Sequence, residues 1–329
     1  LTVSEIEAGL ELKLFDARLT LDAAWYQKDT RNEIVTATVS ASSGFQSAII
    51  NNGQLQNTGF EFLLSGKIIE GKDFAWTSSI NFSANNNTVV ALAEGQKSLS
   101  IAQSRTLTAF VQHRVGEPFA QIVAFDFARD KQGNIVYDAD GLPKQGELVS
   151  MGTGVHPYSG GWENEFHFGN FSLSALIDFK FGGKIFSATN AYMYGFGLHK
   201  ETLPGRDGGI TGVGVTEDGK PNTKLVTADK VQDYYSRISG QIGTPFVYDA
   251  SFIKLRQVSI GYDFPSAWLE NSPIRRLTLS LVGRNLLVLM KNTPNIDPET
   301  NYNTSNAQGL ELAGIPPTRT VGFNLNVKF

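Results

Sequence analysis

Few residues in this sequence are spaced for chemistry. The four histidines, His113, His156, His167 and His199, lie far apart, and no pair has the i, i+4 or similar spacing of a metal site. They read as polar loop or interior-facing residues. Asp138-Ala139-Asp140-Gly141 sets two carboxylates one residue apart, a spacing that can share a calcium cage. Asp-Gly is also a turn signal, and the turn is the expected reading. Asp297-Pro298-Glu299 is a second carboxylate pair. General acid–base work would need a cleft and a perturbed pKa, whereas a Pro-rich loop predicts a rigid, solvated turn. The chain has no cysteine, hence no thiolate chemistry and no disulfide frame. No catalytic constellation emerges, so neither an enzyme nor a cofactor is expected. The remaining candidates are aromatic: Tyr158, Trp162, Tyr192, Tyr194 and Phe196. Aromatic faces stack on sugar rings, and phenol groups hydrogen-bond hydroxyls. The same residues could equally form an interfacial girdle with no ligand role.

The elements that carry these residues are strands. The clearest is Arg319 to Phe329, where Val321, Phe323, Leu325, Val327 and Phe329 alternate with Thr320, Gly322, Asn324, Asn326 and Lys328. Period two sends successive side chains to opposite faces, so one face is apolar and the other polar. A soluble sheet tolerates such a strand. A membrane barrel requires it, because one face meets lipid and the other a wet lumen. No run approaches the roughly 20 apolar residues of a membrane helix. The 33 Gly, 22 Phe and 10 Tyr favour tight turns, sheets and aromatic belts. Net charge is -4, which offers no electrostatic reason to expect nucleic acid.

The same alternation recurs along the chain. Ile6 to Leu14 and Leu19 to Tyr26 flank a turn at Phe15-Asp16-Ala17, and Phe60 to Leu64 and Phe74 to Phe82 flank Gly71-Lys72-Asp73. Trp162 to Phe168 and Phe171 to Phe179 flank Gly169-Asn170. Both hairpin and strand signals are present in each pair. Ser251 to Asp263 changes phase, which a bulge near Arg256-Gln257 would reconcile. Pro265 to Pro273 suggests a helical turn, and Leu277 to Val282 leads through a Pro-rich loop to the last strand. Trp25 and Trp76 fall with the apolar residues and read as girdle. Arg284 falls with the polar ones and is expected inward, paired with carboxylates there rather than with a ligand.

Connections alternate in length. Those after strands one, three, five and seven are short or modest, and those after two, four, six and eight are long. Large loops are expected at about residues 85–161, 182–250 and 291–317. Bacterial outer-membrane barrels keep tight turns at one end and long loops at the other. A sheet in lipid must also close, because an unpaired backbone group there costs several kcal/mol. The fold class expected is therefore all-β, a transmembrane antiparallel β-barrel contributing about nine strands. A small self-contained barrel with adhesive loops is the alternative, and a soluble β enzyme the more distant one. The chain opens at Leu1 with no leader features, and is expected to be the C-terminal piece of something longer.

Several stretches resemble one family. Asn57-Thr58-Gly59-Phe60-Glu61 with Phe74-Ala75-Trp76, Tyr158-Ser159-Gly160-Gly161-Trp162 with Asn164 and Phe166, and Phe171-Ser172-Leu173-Ser174 occur in family order. So do Asp249 to Arg256, Gly261 to Pro265, Gly283-Arg284-Asn285-Leu286, Asp297-Pro298-Glu299 and Pro317-Thr318-Arg319-Thr320. The set resembles SusC/RagA-type TonB-dependent transporters. Asp138-Ala139-Asp140-Gly141 is a shorter form of the acidic, Gly-rich run of many relatives. The resemblance implies a barrel of about 22 strands with a plugged lumen, in the outer membrane of a Bacteroidetes-like Gram-negative bacterium. It implies import of oligosaccharides or peptides beneath a SusD-like surface lipoprotein, with transporter–lipoprotein pairs doubled into a homodimer. Energy would come from the TonB-ExbB-ExbD system through a plug domain that this chain does not contain. The apolar alternation ending in Phe329 is similar to the barrel-assembly signal read by the outer-membrane insertion machinery.

Overall fold

The computed structural model describes residues 1–32, 34–38, 41–45, 47–51, 53–92, 96–301 and 308–329. Residues 93–95 and 302–307 of the expected large loops lie outside the described residues. Nine long strands form one antiparallel sheet in chain order. They are β1 (Thr2–Leu14), β2 (Leu19–Arg31), β3 (Gln54–Glu70), β4 (Phe74–Ala91), β5 (Tyr158–Phe168), β6 (Phe171–Phe181), β7 (Phe252–Asp263), β8 (Arg276–Lys291) and β9 (Thr320–Lys328). Each strand pairs with the next, and β1 and β9 do not pair with each other. By itself the sheet is a wall with two open edges, so the small closed barrel is not what this chain forms.

Register gives the wall two faces. Phe323 lies opposite Leu281, Leu281 opposite Ile260, Ile260 opposite Leu173, and Leu173 opposite Phe166. The row continues through Trp76. Val321, Phe323, Leu325 and Phe329 are all exposed, at 61–80%. Burying one such side chain is worth about 1.5–3 kcal/mol, so a row of them facing water would be costly. The opposite face carries Glu7, Asp22, Glu61, Ser79, Asn81, Glu163, Asp178 and Ser280 in the alternate register, interrupted by Leu63, Leu176 and Val282.

Two aromatic rows border the apolar face. At the short-turn end Phe74, Phe168, Phe171 and Tyr262 lie side by side, with ring centroids 4.8 Å apart for Phe74–Phe168 and for Phe171–Tyr262. At the other end Trp25, Phe60, Ala84, Tyr158 and Phe181 occupy one cross-strand row. Tyr158 to Phe168 spans roughly 33 Å along β5 at the usual strand rise. At the usual tilt of about 40° that is an apolar band about 25 Å tall, the height of a barrel's lipid belt.

The short connections hold their expected places. Gly169-Asn170 is a two-residue turn with Gly169 at φ +55°, a conformation glycine adopts without Cβ strain. A 3₁₀ turn, Ser266–Trp268, sits between β7 and β8. β4 runs on to Ala91, past Asn85 where the loop was expected, and β5 already begins at Tyr158.

The chain's main buried apolar core lies outside the wall, in the long connections. The β4–β5 connection contributes Ser98–Gln103, Ala109–Arg114, Gln121–Phe127 and Gln145–Thr153, which form a four-stranded sheet. The β6–β7 connection contributes helices α1 (Ala188–Gly195) and α2 (Val231–Gln241). Val111, Ile122, Phe186, Tyr234, Ile238, Phe246 and Leu310 pack together there. Lys184–Ser187 joins Val247–Asp249 and Leu310–Glu311 in a three-stranded sheet, tying the second long connection to the third. No helix among the described residues is long and apolar enough to cross a membrane.

Candidate functional site

The five candidate aromatics do not form one site. Tyr158 and Trp162 lie on the apolar face of β5, opposite Phe181 and Ile177 of β6. The Trp162 indole N–H donates to Ser78 Oγ at 2.9 Å, and Trp76 N–H donates to Asn164 Oδ1 at 3.0 Å. An indole N–H satisfied within the wall needs no water, which suits a lipid-facing position. Tyr158 and Trp162 thus share the apolar face with Trp25 and Trp76, the placement expected of a girdle. The cause is parity: both belong to the row that includes Phe166 and Phe168.

Tyr192, Tyr194 and Phe196 stay together on the last turns of α1. Ser187 caps that helix by accepting from Asn190 N at 3.0 Å. The Ser187 hydroxyl and that of Thr189 each donate to buried Glu311 at 2.6 Å, which places a carboxylate at the helix N-terminus, where the dipole favours it. Tyr192 and Phe196 rings stack with centroids 6.3 Å apart, and Phe196 is 70% exposed. Tyr194 turns inward, edge-on to Phe246 at 5.0 Å, and its hydroxyl donates to Glu201. Burial, then that carboxylate, pushes the Tyr194 hydroxyl well above the ordinary phenol range, so it stays protonated.

Tyr194 and Phe196 line a cleft of about 270 Å³. Arg206, Gln232 and Tyr235 are also in its lining. Tyr235 comes from the buried face of α2, where Val231, Tyr234, Tyr235 and Ile238 repeat at i, i+3, i+4, i+7. Its hydroxyl donates to Pro204 O at 3.0 Å. Arg206 donates from Nε to Thr202 O and from Nη2 to Thr202 Oγ1, both at 3.0 Å, and from Nη2 to Gly197 O.

A second assembly lies where the third long connection meets the wall. The bulge in β7 falls on Arg256: Leu176 pairs with Gln257 and Ile177 with Leu255. The displaced Arg256 donates to Asp178 Oδ2 at 2.6 Å, to Glu299 Oε2 at 2.9 Å and to Asn285 Oδ1 at 2.9 Å. Buried Lys254 donates to Asp297 Oδ1 at 2.8 Å and to Glu299 Oε2 at 2.6 Å. Asp297-Pro298-Glu299 is thus ion-paired against the wall strand rather than the solvated turn expected. The overlooked signal was Lys254 and Arg256, two cations at the very phase change that demanded a bulge. Arg284 keeps the polar register and donates to the amide oxygen of Gln257 at 3.1 Å; among the described residues no carboxylate pairs with it.

The other singled-out groups are accounted for locally. Asp138 Oδ1 accepts from Asp140 N and Leu142 N, both at 3.0 Å, and its Oδ2 lies 3.4 Å from Arg237 Nη1. That is a turn-forming carboxylate with little left for a cation. His113 is a core residue packed at a tilt against Phe119, ring centroids 4.3 Å apart, not a polar loop residue. His199 is buried and caps Lys200–Thr202, His156 bonds Ala250 O, and His167 is exposed on the polar register of β5. Among the described residues no group of His, Asp and Glu is arranged to hold a metal.

Comparison with known proteins agrees with this geometry. A family model described as TonB dependent receptor-like, beta-barrel, matches residues 2–286. TonB-dependent receptor P3 of Formosa agariphila is 26% identical, the match covering 100% of this chain and 34% of that protein. TonB-dependent receptor SusC of Bacteroides thetaiotaomicron is 22% identical over 98% of this chain and 31% of its own length. The solved structure of the RagAB peptide transporter superposes with a TM-score of 0.72 at 20% identity, covering 99% of this chain and 35% of that one. The chain spans about a third of the length of the curated relatives it matches.

Proposed function

The chain belongs to the TonB-dependent receptor β-barrel family, whose members reside in the Gram-negative outer membrane, and from that premise we propose that it forms the lipid-embedded wall and cargo-selecting loops of a SusC/RagA-like nutrient importer. One observation carries the reading. A nine-stranded sheet has one predominantly apolar face, about 25 Å tall at the usual strand rise and tilt, while the main buried apolar core sits in the long loops at one end. Such a wall encloses a route, and such loops select what enters it.

The cargo class is an oligomeric nutrient, glycan or peptide. Tyr192, Tyr194 and Phe196 supply its aromatic contacts. A SusD-like lipoprotein closes over the loops, transporter–lipoprotein pairs dimerise, and TonB-ExbB-ExbD drives entry by acting on a plug domain held in the lumen. Val321, Phe323, Leu325, Val327 and Phe329 serve as the assembly signal.

The test is genetic. Cells lacking the full-length gene should lose growth on one class of oligosaccharide or oligopeptide as sole nutrient while growing normally on its monomer. Cells lacking TonB should show the same loss. Unchanged growth on every oligomeric nutrient, or a defect independent of TonB, would sink the import reading.

A further inference from the structure

The cleft beside α1 has an unequal lining. Its apolar lining comes from Tyr194, Phe196, Ala228, Val231 and Tyr235. Its polar side is dominated by a cation. Among the described residues no carboxylate lies within ion-pair reach of Arg206, and all its hydrogen bonds go to neutral oxygens of Thr202 and Gly197. Those bonds use Nε and Nη2 and hold the guanidinium plane in place. Nη1 makes no hydrogen bond among the described residues. The nearby Glu201 carboxylate accepts from the Tyr194 hydroxyl instead. A guanidinium fixed by neutral acceptors keeps its full charge for a ligand and has already lost most of its rotational freedom.

We propose that this cleft is a carboxylate-binding subsite, in which Arg206 holds the anionic end of the imported oligomer and Phe196 and Tyr235 flank the adjoining ring or chain. The inference rests on the importer reading and deepens it by naming the substrate's charge. Guanidinium donors match carboxylate oxygens geometrically, and a ring face beside the cation accepts the apolar body next to the carboxylate. The volume of about 270 Å³ suits one terminal unit rather than a whole oligomer. Two sources share this chemistry: a peptide C-terminus and a uronic acid at a glycan end.

Binding to the full-length transporter in detergent, followed by titration calorimetry, separates them. The probes are N-acetyl-Gly-Phe and its C-terminal amide, and digalacturonic acid and its methyl ester. At least one acid should bind roughly tenfold or more tightly than its neutral partner, as expected for a charge-assisted pair at a partly exposed site. The preferred acid identifies the source. Arg206→Gln should erase the preference and Arg206→Lys should retain part of it. Gln232→Glu, which leaves the Arg206 anchors untouched, should erase it too, guarding against a loop that merely misfolds in Arg206→Gln. No preference for either acid, or a preference surviving Arg206→Gln or Gln232→Glu, overturns the subsite. Binding is read without transport, so the two readings fail separately. A protein that imports but ignores the acid sinks only the subsite. One that binds the acid in cells with no growth phenotype sinks only the importer.

Discussion

Lys254 Nζ lies 2.6 Å from Glu299 Oε2, with the lysine side chain 4% exposed. One residue is on a wall strand and the other in the last long loop, so this contact fastens the loop to the barrel. Removing one member of a buried pair strands the other, at a cost of about 3–5 kcal/mol. Glu299 is partly exposed, so the lower end applies. Lys254→Met in the full-length protein should make residues 292–301 sensitive to limited proteolysis. The Lys254→Met, Glu299→Gln double variant should lose less than the two single losses added, as coupled neighbours do.

The same latch should weaken in acid. Burial pushes the Glu299 carboxyl up, but hydrogen bonds from Lys254 and Arg256 and their charges more than reverse this, so its pKa ends below the ordinary 4.5. A depressed carboxylate stabilises the fold fully above its unfolded value and loses that contribution as pH falls through the folded one. Hydrogen exchange near residues 296–301, corrected for intrinsic rate, should show protection intact at pH 7 and lost as pH falls below the ordinary 4.5 and through the lowered folded value. Glu299→Gln should be weakly protected at both.

His113 has the opposite chemical type but the same sign. Burial lowers its pKa from 6.5 to about 4, so the folded loops hold it neutral. The unfolded chain binds the extra proton between those values, and stability falls as pH drops from 6.5 towards 4. Neither ring nitrogen has a hydrogen-bond partner among the described residues. His113→Leu should therefore flatten this part of the stability–pH curve and raise the loop melting temperature at pH 5.

The two faces of β8 can be told apart by charge. Leu279 lies in the apolar row and Ser280 in the polar one. An arginine on the lipid face near the midplane costs about 2–4 kcal/mol. Leu279→Arg should reduce folded protein in the outer membrane, measured by heat-modifiable mobility, and Ser280→Arg should not. Equal tolerance would reverse the faces.

Placement of the aromatics predicts a split in uptake. Phe196→Ala should lower cargo affinity several-fold, by loss of a stacking face. Trp162→Ala should leave affinity unchanged and lower only the yield of assembled protein. Radiolabelled uptake normalised to surface protein separates the two effects.

The wall was legible because lipid on one side and water on the other impose strict period two. Ile6 to Leu14 and Val321 to Phe329 could hardly be anything else. Even the bulge at Arg256 was visible as a phase change. What stayed hidden was the loop body, where burial is set by contacts between distant segments. Glu311 looks like any surface carboxylate until Ser187 and Thr189 are brought to it from the far side of the chain. The helix α2 was within reach: Val231, Tyr234, Tyr235, Ile238 and Ile242 have helical spacing, which surrounding Gly-rich turns obscured. Tyr158 and Trp162 were ambiguous for a local reason. Aromatics near a strand end serve ligand and membrane alike, and only cross-strand register decides between them.

The two raw seams of the wall have a consequence for handling. β1 and β9 each carry a full row of unshared amide and carbonyl groups on one side. Any extended peptide satisfies such a row, including another copy of the same strand. Produced by itself, this chain should associate laterally into ribbons and deposit in inclusion bodies. Recovery in soluble form should then require supplying neighbouring strands in trans.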